Sequence, residues 1–253
     1  MRLDLRLELE RRSISTSLGT MFHFCQDRAM TNRTPRTERR AEALSKARIV
    51  EAAIAILDTD GENALTFRAL AARLTTGSGA IYWHVADKTA LMGAAVDAVV
   101  AQIISESVGG AEPRQALRAV ALGLFDAIDA RPWVGAQLAR EPMRPAMLMI
   151  YESVGGRLPA LGVPEQAQFD AASALVNYIL GCAGQNAANA RLAPQNADRS
   201  TALAAVAEQW SRLDPTDYPF VRRMAIWLPE HDDREQFLAG LDLILAGVDM
   251  ARA

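Results

Sequence analysis

Residues 65–88 read LTFRALAARLTTGSGAIYWHVADK. Thr66 suits a helix N-cap, because its hydroxyl can accept one of the unpaired amides of the first turn. Leu65 before it and Leu70 after it stand where a hydrophobic staple fixes the approach of the chain. The apolar stripe Phe67, Leu70, Ala71 and Leu74 carries a helix to TTGSG, which interrupts it, and AIYWHV resumes helix for about two turns. Ile81 and Val85 lie four residues apart and, with Leu74, anchor this second piece to its neighbours. That leaves Ser78, Gly79, Ala80, Tyr82, Trp83 and His84 on the remaining faces. Two short helices joined by a tight turn result, the second crowded with rings that its own anchors do not bury.

Immediately upstream, SKARIVEAAIAILDTDG (45–61) places Ile49, Val50, Ala53, Ile54 and Leu57 at the helical period, and Gly61 supplies a left-handed stop. Downstream, Asp87 caps a longer helix, DKTALMGAAVDAVVAQIISE, with Leu91, Ala94, Ala95, Ala98 and Val99 as packing positions and Gly109 and Gly110 closing it. Three helices with a tight turn before the third have the layout of a helix-turn-helix, whose last short helix enters the DNA major groove. Further helical segments follow in 114–130, 133–140, 144–162, 165–191, 200–213 and 234–253, and strand signals are nearly absent. The chain is therefore read as all-α: an N-terminal three-helix helix-turn-helix DNA-binding domain (45–92) followed by a C-terminal helical bundle (93–253). Residues 1–44 are expected to be a disordered basic arm, or in part an over-long start, since Met30 begins a second plausible opening.

Charge supports this division. The net charge is −3, which argues against a protein that coats nucleic acid throughout, but it is unevenly distributed. Basic minus acidic residues come to 5 − 4 in 1–30, 9 − 7 in 31–92 and 13 − 19 in 93–253, matching the totals of 27 and 30. Within 31–48, Arg33, Arg36, Arg39, Arg40, Lys46 and Arg48 face only Glu38 and Glu42, giving a basic arm on an acidic body. The two cysteines, Cys25 and Cys182, are too far apart to suggest a disulfide framework and point to the reducing cytoplasm. The first residues lack the apolar run of a secretory signal, and no stretch approaches the roughly 18 uninterrupted apolar residues of a membrane span.

The stretch 65–91, with Gly61, Leu65-Thr66, Arg68, Leu70-Ala71, the Ile81-Tyr82-Trp83-His84-Val85 run and Lys88, resembles the DNA-binding segment of the tetracycline-repressor (TetR) family of one-component regulators. A weaker likeness to the ligand-binding half of the tetracycline repressors runs through YILGC (178–182) and EQFLAGLDLILAG (235–247). The resemblance implies a DNA-contacting set of Thr66, Arg68, Thr76, Gly77, Ser78, Gly79, Ala80, Tyr82, Trp83, His84 and Lys88. Thr66 and Arg68 would approach the DNA edge, and Ser78, Gly79 and Ala80 would occupy base-reading positions. The three rings would touch phosphates, thymine methyls and packing partners, and Lys88 would hold a phosphate. Gly79 and Ala80 offer almost no hydrogen-bonding side chain, so operator choice falls to Arg68, Ser78, the rings and DNA shape. Packing readings stand beside these: Tyr82 as half a core residue, Trp83 as a cap on the three helices, His84 as a buried histidine.

The resemblance also implies that 93–253 is a ligand-binding and dimerisation bundle, with a homodimer formed through a four-helix bundle, here the helices around 165–190 and 234–251. The second of these holds Phe237, Leu238, Leu241, Leu243, Ile244, Leu245 and Val248 and is too apolar all round to face water. A dimer suits a palindromic double-stranded operator read about one DNA turn apart. The histidines are His23, His84 and His231, so 93–230 has none. Tetracycline repressors hold their metal-drug complex with histidine from that region, which makes tetracycline an unsuitable effector here. Phe125, Trp133, Met143, Met147, Met149, Tyr151, Asn177, Tyr178 and Gln185 are candidates for a mostly apolar small-molecule pocket. No cofactor, metal site or enzyme activity is expected, because phosphate-cradling glycine motifs, metal-ligand spacings and a nucleophile set are missing. The segment PEHDDRE (229–235) is read as a loop capping the last helix. The other reading, a helical ligand-binding or enzymatic domain with the helix-turn-helix as a protein-interaction module, leaves the basic arm and the exposed rings without a purpose.

Overall fold

The computed structural model describes residues 44–107, 112–192 and 198–250. The expected arm thus lies outside the described residues apart from Leu44, as do Gly109 and Gly110. Among the described residues the regular structure is helical throughout: eleven α-helices and one 3₁₀ helix.

Helix α1 (Lys46–Asp60) starts at Ser45, whose hydroxyl accepts the Arg48 amide, and stops at Gly61, where φ is +79°. Its buried face is Ile49, Val50, Ala52, Ala53, Ile56 and Leu57; Ile54, expected in the stripe, is only half-buried. Helix α2 (Phe67–Arg73) is capped by the Thr66 hydroxyl, which accepts the Ala69 amide at 3.0 Å. Leu65 and Leu70 are both fully buried, as the staple requires. The chain reverses at Thr75, in the left-handed region at φ +52°, while the Thr76 amide donates back to the Ala71 carbonyl at 2.9 Å. A β-branched residue there costs on the order of 1 kcal/mol or more, because its Cβ crowds the backbone.

Helix α3 (Ser78–Tyr82) is five residues long, shorter than the two turns expected through Val85. Gly77 at its N-cap has no side chain to cap with, and Trp83 and His84 fall in the turn that ends it. Ile81 and Val85 are nonetheless buried and pin both ends. Helix α4 (Lys88–Ser107) begins where the Asp87 carboxylate accepts the Ala90 amide at 2.7 Å. It buries Leu91, Met92, Gly93, Ala95, Val96, Val99 and Val100. Of the expected packing positions Ala94 is half-buried and Ala98 exposed, because the buried stripe follows the three helices on one side and the bundle on the other. By length and composition α4 could cross a membrane, but seven of its residues are buried in the protein core.

The bundle consists of α5 (Pro113–Ala130), α6 (Pro132–Arg140), α7 (Pro145–Gly155), α8 (Glu165–Leu192), α9 (Arg199–Ser211), α10 (Pro219–Met224) and α11 (Asp233–Met250). Four of these, α5, α6, α7 and α10, carry proline in the first turn, where its missing amide would have no partner. Helix α7 stops at Gly155, short of the helix expected over 144–162; the rest is turns closed by Gly162 at φ +78°. Residues 219–230, left without an element on sequence grounds, form α10 and a 3₁₀ helix (Ala225–Glu230). The last helix is capped as expected: the Asp232 carboxylate accepts the Glu235 amide at 2.8 Å. Phe125 of α5, Phe237 of α11 and Tyr178 of α8 stack in series, with centroids 4.5 and 5.6 Å apart, and tie the bundle's long helices together.

Candidate nucleic-acid interface and effector pocket

The residues expected at DNA lie on α2, on α3, in the turns flanking them and at the start of α4. Arg68 projects from the first turn of α2, and Thr66 caps that turn while staying exposed. Tyr82 lies flat on Phe67, centroids 4.3 Å apart and planes at 4°, yet keeps 56% of its surface open. It is both packing residue and surface. Trp83 is 91% exposed, so it does not cap the three helices, and His84 is exposed rather than buried. Ser78 is exposed, while Thr76 and Ala80 are half-buried. A Cβ added at Gly77 or Gly79 would meet nothing within 4 Å, so neither glycine is demanded by packing inside the chain.

Lys88, at the start of α4, donates its ammonium to the Glu62 carbonyl at 2.7 Å. The long stem is thus pinned across the loop between α1 and α2, and the two remaining ammonium protons have no protein partner in that bond.

A pocket of about 990 Å³ opens between α4, α7 and the start of α8. Ala101, Ile104 and Ser105 form one wall, Leu148, Met149, Tyr151 and Glu152 another, and Phe169 and Ala172 the third. Its polar groups include Ser153, Arg157 and Gln168. Arg157 is already oriented: its guanidinium donates to the Ser153 carbonyl and, at 2.9 Å, to the buried Ser153 hydroxyl. Leu148 and Phe169, 61% and 74% exposed, stand at the mouth.

Of the residues expected in a ligand pocket, Tyr151 and Met149 line it and the others do not. Phe125 and Met147 are core, Phe125 being used in the stack on Phe237. Trp133 is buried with its indole N–H donating to the Asp58 carboxylate at 2.9 Å. Met143 is 84% exposed in the turn between α6 and α7, and Asn177 and Gln185 are exposed on α8. Tyr178 faces α11, donating its hydroxyl to the Phe237 carbonyl at 2.9 Å; burial first, then the neighbouring Cys182, pushes it up to about 12. Phe169, Leu148, Arg157 and Gln168 were missed, because a Phe or Leu at a helical period reads equally as core or mouth. Among the described residues no group of three or more His, Cys, Asp or Glu side chains is arranged to hold a metal.

Two family models match the chain: "Bacterial regulatory proteins, tetR family" over residues 49–95 and "Tetracyclin repressor-like, C-terminal domain" over 111–252. An HTH-type transcriptional regulator of Saccharopolyspora erythraea is 28% identical over 223 residues, covering 86% of this chain and 92% of that protein. The HTH-type transcriptional repressor DrrR1 of Streptomyces coeruleorubidus is 30% identical over 176 residues, 68% of this chain and 62% of its own length. Among solved structures, the transcriptional regulator SCO7222 of Streptomyces coelicolor, described as a TetR, is 50% identical, covers 83% of this chain and all of its own, and superposes with a TM-score of 0.76.

Proposed function

Since the chain belongs to the tetR family of bacterial regulatory proteins, we propose that it is a cytoplasmic, homodimeric repressor, released from a palindromic operator by a small organic molecule bound in the 990 Å³ pocket. The observation that carries this is helix α4. Its first residue, Lys88, follows Tyr82, Trp83 and His84 along the chain by four to six residues, and its Ala101, Ile104 and Ser105 form a wall of the pocket. One 20-residue helix therefore touches both sites, and a ligand that shifts it changes the aim of α3.

At the DNA, Trp83, His84 and Tyr82 lie against the sugar-phosphate edge and thymine methyls. Arg68 and Ser78 read base edges, Lys88 holds a phosphate, and the uncovered Gly77 and Gly79 let the backbone approach the groove. Thr66, Thr76 and Ala80 complete that surface. The domains divide at about residue 92, with 45–92 binding DNA and 93–253 binding ligand and partner. The effector class follows from the walls: an apolar molecule of drug size, with a polar or anionic group for Arg157 and Gln168.

The dimer uses the outer faces of α8 and α11. On α8 the exposed residues Ala174, Asn177, Gly181, Gly184 and Ala188 recur at coiled-coil spacing, and Gly181 and Gly184 have nothing over them within 4 Å. On α11 the inner face, Phe237, Leu241, Leu245 and Val248, is core, whereas Leu243 is 76% exposed beside the open Gly247. Small residues on both helices suit the close approach of a second pair.

The test is a compound screen by fluorescence anisotropy on the protein–DNA complex. Compounds that release DNA from the unaltered chain should fail on Ala101→Trp, which sets a large ring into one wall of the pocket. Release unaffected by that substitution would place the effector elsewhere, and ligand-tightened binding would replace repressor with co-repressed regulator.

A further inference from the structure

Helix α6 is fastened at both ends to the far end of α1. At its start, the Asp58 carboxylate accepts from the Arg131 Nε on one oxygen and from the Trp133 indole N–H on the other, both at 2.9 Å. At its finish, Arg140 pairs with the Glu62 carboxylate at 3.2 Å, and the Glu62 carbonyl is the one that holds Lys88. These partners are 73 to 78 residues apart in sequence, so the contacts join the DNA-binding unit to the bundle rather than stabilise a local turn. Trp133 is buried, which fixes the indole and gives the Asp58 carboxylate one rigid, charge-assisted donor besides the more exposed Arg131.

The far side of the same strut reaches the pocket. Four residues after α6, Arg144 is 8% exposed and lies over α4 where Gly93 has no side chain; a Cβ on Gly93 would stand 1.6 Å from the Arg144 Nη2. Its Nη1 pairs with the Glu141 carboxylate at 2.9 Å and its Nε stands 3.8 Å from the Asp97 carboxylate. Asp97 of α4 in turn accepts the Ala146 amide at 3.0 Å and so caps α7, the helix that supplies the pocket's Leu148-to-Glu152 wall. A wall of the pocket, the Arg144 joint, α6 and the end of α1 are thus one continuous set of contacts.

We propose that Asp58, gripped by Arg131 and Trp133, is a positioning residue that sets the orientation of the DNA-binding unit on the bundle, and that α6 is a second route from the pocket to α3, parallel to α4. This rests on the regulator reading for its purpose but not for its geometry. The carboxylate is the hub: as an amide it loses its charge and keeps one acceptor oxygen for two donors, whereas the packing of α1 against α4 remains. With that grip gone the unit samples more orientations, and fewer molecules hold both recognition helices at operator spacing.

The experiment places spin labels at exposed Ala72→Cys and Ala160→Cys in a Cys25→Ser, Cys182→Ser full chain, diluted with unlabelled chain so that only the intrachain pair reports. The unaltered joint should give one narrow distance distribution. Asp58→Asn and Trp133→Phe should each broaden or shift it, and the two together should do little more than one, since they act on the same grip. Arg140→Ala should do the same from the other end of α6. Affinity for a selected operator duplex should fall about tenfold in Asp58→Asn, the usual scale for losing a charged hydrogen-bond partner. Distributions indistinguishable from the unaltered chain, even with a lowered melting temperature, would make Asp58 merely structural and overturn the proposal. If the unaltered chain bound no selected duplex, the regulator reading would fail while the distance measurement still decided the joint.

Discussion

Replacing Trp83 by Ala separates binding from folding more cleanly than any other change on the recognition end. The ring is 91% exposed and has no stacking partner among the described residues, so truncation removes little contact from the free protein. Its cost to folding should stay within about 0.5 kcal/mol, the ordinary range for surface positions. On DNA the same ring would bury roughly 100 Å² against sugars and thymine methyls, about half of what a Trp can bury. At about 25 cal/mol per Å² that is about 2.5 kcal/mol per subunit before the ordering of the side chain is subtracted, leaving about 2. Two subunits on one operator double it, so Kd should rise on the order of a thousandfold. Trp83→Phe should recover most of the loss. The assay pairs thermal unfolding with anisotropy of a labelled operator duplex. Binding within a few-fold of the unaltered chain, with folding intact, would show that the ring does not face DNA. A melting temperature lowered by many degrees would show that it is not free.

Lys88→Ala should weaken binding to all duplexes alike and make the dependence of log Kd on log salt shallower by about one unit per subunit; a change confined to sequence preference would contradict a phosphate contact. Thr75→Gly removes a β-branched side chain from φ +52° and should raise the denaturant midpoint, although glycine's freedom in the unfolded chain offsets part of the gain; a lowered midpoint would mean that the turn is not strained. Gly240→Ala would set a Cβ 2.0 Å from the Tyr178 hydroxyl, so despite better helix propensity it should destabilise by about 1–2 kcal/mol, and Tyr178→Phe in the same chain should restore part of this in urea unfolding. Tyr178 also titrates near 12 when folded against 10 when unfolded, so its contribution to stability is complete below pH 10 and is lost as pH rises from 10 to 12. The difference in stability between the unaltered chain and Tyr178→Phe should shrink across that interval, and a constant difference would refute the shift.

What the sequence disclosed follows from how local each feature is. Thr66 and Asp87 cap helices through amides three residues on, Gly61 stops α1 through its own φ, and Leu65 and Leu70, both buried, flank one and the same first turn. All were legible because their partners are neighbours. The length of α3 was not, since Ile81 and Val85 anchor it equally well when the chain leaves helix at Tyr82. The pocket was legible least. Met147 and Leu148 are adjacent on α7, one buried and one open, and only the packing of α4 and α8 around that helix decides which. The Asp58–Trp133 contact spans 75 residues between two segments that each read as ordinary amphipathic helix. Residues 219–230 escaped because Pro219 and Pro229 read as loop, although proline is at home in the first turn of α10 and tolerated in the 3₁₀ turn.

The central claim, a dimer that aims two α3 faces at DNA, is tested most directly by selecting bound fragments from a random double-stranded DNA pool with the full chain. The account predicts enrichment of one palindromic sequence whose half-sites lie about one helical turn apart, bound by two chains per duplex. Recovery of unrelated fragments with no shared two-fold sequence, or of a single half-site bound by one chain, would contradict it.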